Sequence, residues 1–150
     1  MRLTPHFELE EFTQSSTALR LGIDNTPGPE VVKRLKVVAE KLEVIRQAAF
    51  LQSNAIIISS GYRSPHLNLV VGGSKNSAHI WGWAADIKVR GFTALELARI
   101  IQDSGIGFDQ LIQEGTWVHV SFDPKMRGQI LTAKFVGGIA HYTEGLHATV

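Results

Sequence analysis

The chain has 150 residues, 44% of them hydrophobic and 19% charged, with a formal net charge of +1 and no cysteine. That length and balance fit one globular domain with its own core and exclude a disordered chain. The missing cysteines exclude disulfides, thiolate metal sites and a cysteine nucleophile, so any metal must be held by His, Asp or Glu. The charge gives no basic excess of the kind nucleic-acid binders need, so no nucleic-acid partner is expected. No stretch approaches the roughly 18 apolar residues that span a bilayer.

The N-terminus reads Met1-Arg2-Leu3-Thr4-Pro5-His6-Phe7-Glu8 and lacks the apolar centre of a secretory signal. Synthesis in the cytoplasm is expected, with any exit by another route. Residues 8–13 suggest a short helix, and residues 14–28 read as polar and irregular. Pro27, Gly28 and Pro29 then open a long helix, with Val31, Leu35, Val38, Leu42, Ile45 and Ala49 at helical spacing. Residues 54–60 (NAIIISS) read as a buried strand, and residues 66–83 as a loop-rich stretch holding Gly72, Gly73 and Gly82. Residues 84–89 (AADIKV) predict a second strand. Residues 93–103 predict a helix with Thr93 at its N-cap and Gly105 past its end. Residues 108–114 and 117–122 predict two strands separated by Gly115-Thr116, and residues 130–136 an edge strand. There is no internal repeat. The expected class is α+β: a small antiparallel sheet with flanking helices in a single domain.

His79, Asp86 and His119 are the candidate metal ligands. A catalytic zinc site needs three N or O ligands from the protein at about 2.0–2.2 Å. His79 and Asp86 lie seven residues apart, which is too long for neighbouring turns of one helix. The spacing suits a histidine on a loop and an aspartate on the strand that follows. In the alternation of a strand, Trp117, His119 and Ser121 face one way, and Val118 and Val120 the other. Taken singly, a strand histidine is more often a packed or surface residue, and an aspartate after two alanines a strand-end hydrogen bonder. The joint pattern carries the reading.

Ser77-Ala78-His79-Ile80-Trp81-Gly82-Trp83-Ala84-Ala85-Asp86 resembles the SxHxxGxAxD motif of the D-Ala-D-Ala metallopeptidases. Trp117-Val118-His119-Val120-Ser121 resembles their second metal motif, and Ser60-Gly61-Tyr62-Arg63-Ser64 their SGYRS segment. The order follows that of small, often phage-encoded, members over residues 3–122. The resemblance implies a hedgehog-like D,D-peptidase fold with zinc on His79, Asp86 and His119. It also implies cleavage of peptidoglycan stem peptides, with Arg63 binding a substrate carboxylate or carbonyl and Ser77 assisting it. The planar donor fork of arginine suits a carboxylate. A structural salt bridge for Arg63 and a local loop hydrogen bond for Ser77 fit the residues as well.

One position departs from the family. Many members carry the catalytic carboxylate three residues before the second histidine; here that residue is Thr116. Glu114 is the nearest carboxylate, five residues before His119. On one continuous strand that odd separation would put the two on opposite faces. A two-residue turn at Gly115-Thr116 changes the parity: Glu114 then pairs with Trp117, Ile112 pairs with His119, and Glu114 lies diagonal to His119 at about 7–8 Å. Glu114 is therefore the candidate general base, with Asp123 and Glu144 as weaker substitutes, and Trp117 the candidate wall of the site. His66, His6, His141 and His147 are read as structural or exposed, with His66 and His141 the two that could touch substrate.

The expected function is zinc-dependent hydrolysis of peptidoglycan stem peptides, of the D,D-carboxypeptidase or L-alanyl-D-glutamate endopeptidase type, by a monomer with no membrane partner. A phage endolysin that reaches the cell wall through a partner pore suits the missing leader. The alternatives are a non-catalytic structural or wall-binding module on the same scaffold and a cytoplasmic D-Ala-D-Ala dipeptidase. Residues 123–150 carry no assigned role.

Overall fold

The computed structural model describes residues 1–48 and 54–148. A short ribbon opens the chain, β1 (Arg2–Thr4) against β2 (Phe7–Glu8), followed by α1 (Leu9–Thr13), α2 (Ser16–Leu21) and α3 (Pro29–Arg46). Then come β3 (Ile56–Ser60), α4 (Pro65–Val70), α5 (Ala78–Trp81), β4 (Ala84–Val89) and α6 (Ala94–Asp103). The chain continues through β5 (Gln110–Gln113), β6 (Val118–Ser121), β7 (Gln129–Val136) and β8 (Ile139–Glu144).

Six strands form one sheet in the order β3-β4-β6-β5-β7-β8. Its two faces differ by the alternation of the strands. One face presents Ile56, Ile58, Ala85, Ile87, Val89, Val118, Val120 and Leu111, all buried. Against it pack Leu35, Val38, Leu42 and Ile45 of α3 and Leu97, Ala98 and Ile101 of α6. The other face carries Asp86 and His119, paired across β4 and β6, and Ile112, paired with His119 across β5 and β6. The core therefore lies on one side of the sheet and polar chemistry on the other.

The α+β class holds, but the sheet is mixed. β5 pairs with β7 in parallel, and every other pairing of the sheet is antiparallel. Nor is β7 an edge strand: β8 covers its outer side from Leu131↔Glu144 to Val136↔Ile139. A seven-residue link, 122–128, carries the chain from β6 past β5 to β7. It is clamped to the start of β5, where Arg127 donates to both carboxylate oxygens of Asp109 at 2.8 and 2.9 Å and Gln129 N–H donates to the Asp109 carbonyl.

α3 and α6 follow the expected spacing, and Ala49 lies outside the described residues. Thr93 and Glu96 exchange side-chain and backbone hydrogen bonds in a capping box at the start of α6. Two helical segments escape the pattern. The stretch expected to be irregular contains α2, which buries only Ala18 and is held by its ends: Ser15 Oγ accepts from Ala18 N–H, and Gly22 closes it in the left-handed region at φ 66°. The stretch expected to be loop contains α4 and α5, each capped by a serine, Ser64 and Ser77. β3 buries one side only; Ile57 is 48% exposed.

Candidate metal centre

Three elements meet at the open face of the sheet. His79 sits on α5, Asp86 on β4 and His119 on β6. Their ligand atoms all lie within 4.8 Å of one another, which makes this the one such cluster among the described residues. His79 Nε2 and His119 Nδ1 both approach Asp86 Oδ1, at 3.2 and 3.1 Å. The two rings meet edge to face with centroids 5.1 Å apart. The expected loop position of His79 is corrected: it occupies a single helical turn, which aims the imidazole back at the sheet.

That turn is built from both sides. Ser77 Oγ accepts from His79 N–H at 3.2 Å and begins the turn. Gly82, at φ 79°, ends it. A Cβ on Gly82 would come within 2.9 Å of Val31 on α3, so only glycine allows this approach. Arg34 of α3 reaches across to the Trp81 carbonyl at 3.1 Å and lies over the Trp83 ring at 5.5 Å.

His79 Nδ1 lies 2.6 Å from the carbonyl oxygen of Gly61. A carbonyl only accepts, so Nδ1 carries the proton and Nε2 presents a lone pair. Burial drives the His79 pKa down, against the attraction of Asp86, and so favours the neutral ring. Burial also pulls the Asp86 carboxyl up, but the two imidazoles outweigh it and hold Asp86 well below the usual carboxylate range. A neutral His79 so oriented turns its Nε2 lone pair toward Asp86 Oδ1, 3.2 Å away. A divalent cation resolves that arrangement. A ligand histidine whose other nitrogen is tied to a backbone carbonyl is the usual second support of a zinc site. The donor set, two imidazoles and a carboxylate, therefore fits zinc.

Arg63 lies beside this cluster. Its backbone N–H donates to the His79 carbonyl at 3.1 Å, and its guanidinium donates to Ser77 Oγ at 3.4 Å. The Arg63 Nε is buried without a hydrogen-bond partner among the described residues. Burial lowers the guanidinium pKa, and the Asp86 and Glu114 carboxylates oppose this. Asn25 pins the loop that carries Arg63: its side chain donates to the carbonyls of Thr13 and Tyr62 and accepts from Ser64 N–H.

The turn after β5 takes the form required by the parity argument. Glu114 N–H donates to the Trp117 carbonyl at 3.0 Å, Gly115 lies at φ 89°, and Ile112 is paired with His119. Glu114 thus shares the face of His119. Trp117 Nε1 donates to Glu114 Oε2 at 2.7 Å. Burial raises the Glu114 pKa, the Asp86 charge raises it further, and His119, the Trp117 bond and Arg63 pull against that rise.

The remaining candidates lie apart from this geometry. Asp123 accepts from Lys125 N–H in the link to β7, and Glu144 sits on the outermost strand. His66 is exposed on α4, His6 is bound to Glu43 at 2.7 Å, and His147 is bound to the Glu144 carbonyl. His141 pairs with Lys134, on the face opposite the cluster. Two contributors were not legible as site residues. The Gly61 oxygen is a backbone atom, and Asn25 falls in a stretch with no pattern.

No curated protein matches the chain in sequence. A family model described as Peptidase M15 matches residues 5–121. That span takes in Arg63, Ser77, His79, Asp86, Glu114, Trp117 and His119, every side chain just placed around the cluster. A match over most of the chain, joined to a histidine–aspartate–histidine cluster at its centre, makes this protein a member of the peptidase M15 family of metallopeptidases.

Proposed function

We propose that this protein is a zinc-dependent peptidase that hydrolyses bonds in the stem peptides of bacterial peptidoglycan, with His79, Asp86 and His119 as ligands. The observation that carries it is the facing of His79 Nε2 and Asp86 Oδ1 at 3.2 Å, with His79 Nδ1 committed to the Gly61 carbonyl. When bound, the ion supplies Lewis acidity for the scissile carbonyl and the attacking water.

The chain's own groups do the rest. Glu114 Oε2 is held by Trp117 Nε1, which leaves Oε1 as the basic atom. Oε1 takes a proton from the attacking water and returns it to the leaving amine. A raised carboxyl pKa suits both halves of that task, because the group must give the proton back. Arg63 presents donors to a substrate carboxylate or carbonyl, and Ser77 holds it in place.

The test is mass analysis of fragments released from purified peptidoglycan, with and without a chelator. Release of peptide fragments that stops on chelation and returns with zinc is expected, and the fragment masses fix which bond is cut. Intact peptidoglycan after exposure to the zinc-loaded protein would overturn the reading.

A further inference from the structure

β7 and β8 lie beyond the matched residues 5–121, yet they extend the face that holds the cluster. Pairing fixes which of their side chains reach that face. Gln113 pairs in parallel with Thr132, so one residue further on Glu114 lies beside Ala133, and Ala133 pairs with Tyr142. Paired residues share a face. Trp117 and Glu114, at the β5–β6 turn, therefore stand in one row with Ala133 of β7 and Tyr142 of β8. Phe135, two residues beyond Ala133, is on the same side, and its ring lies 6.0 Å from that of Trp117.

Ala133 is only 1% exposed although it faces outward, so the larger side chains of the row close over it. Glu114 and Tyr142 are its two neighbours, about 10 Å apart along the backbone row. The pairing places Tyr142 one strand beyond Ala133 on the side of the sheet that holds the cluster. The Glu114 and Asp86 charges do act on the Tyr142 phenol, which burial raises first and these carboxylates raise further. The neutral phenol is a hydrogen-bond donor. Tyr142 remains 54% exposed and open to a ligand. Arg63 stands on the β3 side of the same two carboxylates.

We infer that Tyr142 is a substrate-positioning residue of this chain: its hydroxyl donates to a backbone carbonyl of the bound peptide, while Trp117 and Phe135 form the apolar ledge beneath that peptide. This rests on the peptidase reading. It assigns the β7–β8 pair the second flank of a cleft that runs across the sheet from Arg63. A neutral donor suits a peptide carbonyl, just as the charged fork of Arg63 suits a carboxylate.

The experiment compares binding and turnover. The zinc-loaded Glu114→Gln protein and the Glu114→Gln/Tyr142→Phe protein are titrated calorimetrically with purified stem pentapeptide. In parallel, wild type and Tyr142→Phe are assayed for hydrolysis. Loss of one neutral hydrogen bond predicts a roughly three- to ten-fold rise in both Kd and KM, with kcat little changed. Removing the hydroxyl of an exposed, purely structural tyrosine would move none of these. Equal Kd values for the two titrated proteins, or a fall in kcat without a rise in KM, overturn the inference and leave the peptidase reading standing. Absence of hydrolysis by the zinc-loaded wild type sinks the peptidase reading and, with it, a substrate-positioning role for Tyr142.

Discussion

Replacing Gly61 by alanine tests how the metal centre is coupled to the core. A Cβ at Gly61 would lie 2.5 Å from the Phe12 carbonyl oxygen, 2.7 Å from its Cα and 2.9 Å from its Cβ. Carbon–oxygen contacts settle at about 3.3 Å or more, so the two backbones must part by about 0.8 Å. Neither is free to do so. Phe12 is fully buried and its carbonyl accepts from Tyr62 N–H at 2.7 Å, while the Gly61 carbonyl holds His79 Nδ1. Forced overpacking of this kind costs about 1–3 kcal/mol. At about 2–4 °C per kcal/mol for a chain of this length, the metal-free protein should melt roughly 2–12 °C lower. Because the carbonyl that orients His79 must move as well, zinc affinity should fall about ten- to a hundred-fold. Thermal melting in chelator reads the first effect, and competition with a chromogenic chelator the second. Wild-type melting would refute the close approach at Gly61. Lowered melting with undiminished zinc affinity would refute the role of its carbonyl.

Glu114→Gln should retain zinc, checked by metal analysis, and lose about 10²–10⁴-fold in turnover; hydrolysis near the wild-type rate would remove Glu114 as the base. Trp117→Phe removes a hydrogen bond that holds the Glu114 pKa down, so the acid limb of kcat/KM should move to higher pH; a limb that stays put or moves down contradicts that bond. Asp109 is held below its ordinary pKa of 3.8, chiefly by the hydrogen bonds of Arg127. A depressed folded-state pKa contributes stability that is full above the unfolded value and is lost as pH falls through the folded one. Asp109→Asn should accordingly lose less melting temperature than wild type between about pH 5 and pH 3, and parallel acid curves would argue against the clamp.

The parts of the centre that could be read in the sequence are those set by short-range rules. The parity of Glu114 and His119 follows from a two-residue turn with glycine at its first position, and the observed pairing of Ile112 with His119 has that form. Thr93 announces a helix start, and α3 shows its buried stripe. What could not be read depends on long-range partners or on backbone atoms. Nothing in residues 129–136 says that β7 joins β5 in parallel, because the link that brings it there is fixed by Asp109 and Arg127 across 18 residues. α2 and α5 are too short to show an apolar period and are defined by Ser15, Gly22, Ser77 and Gly82 at their ends. Arg63 was legible from its motif, but Asn25, which fixes the loop beneath it, stands in a featureless stretch.

The β5–β7 pairing also bears on where this molecule can be cut. The matched segment stops at residue 121, whereas β5 takes half of its neighbours from residues 129–132, and the buried Gln113 amide is satisfied by the carbonyl of His147. A fragment trimmed to the family's span would keep every proposed ligand of the candidate metal centre yet lay bare one whole side of β5. Exposed ribbon of that kind sticks to copies of itself. The hydrogen-bonded unit thus runs at least to His147, and transplanting the proposed site to another scaffold would require the terminal strand pair to travel with it.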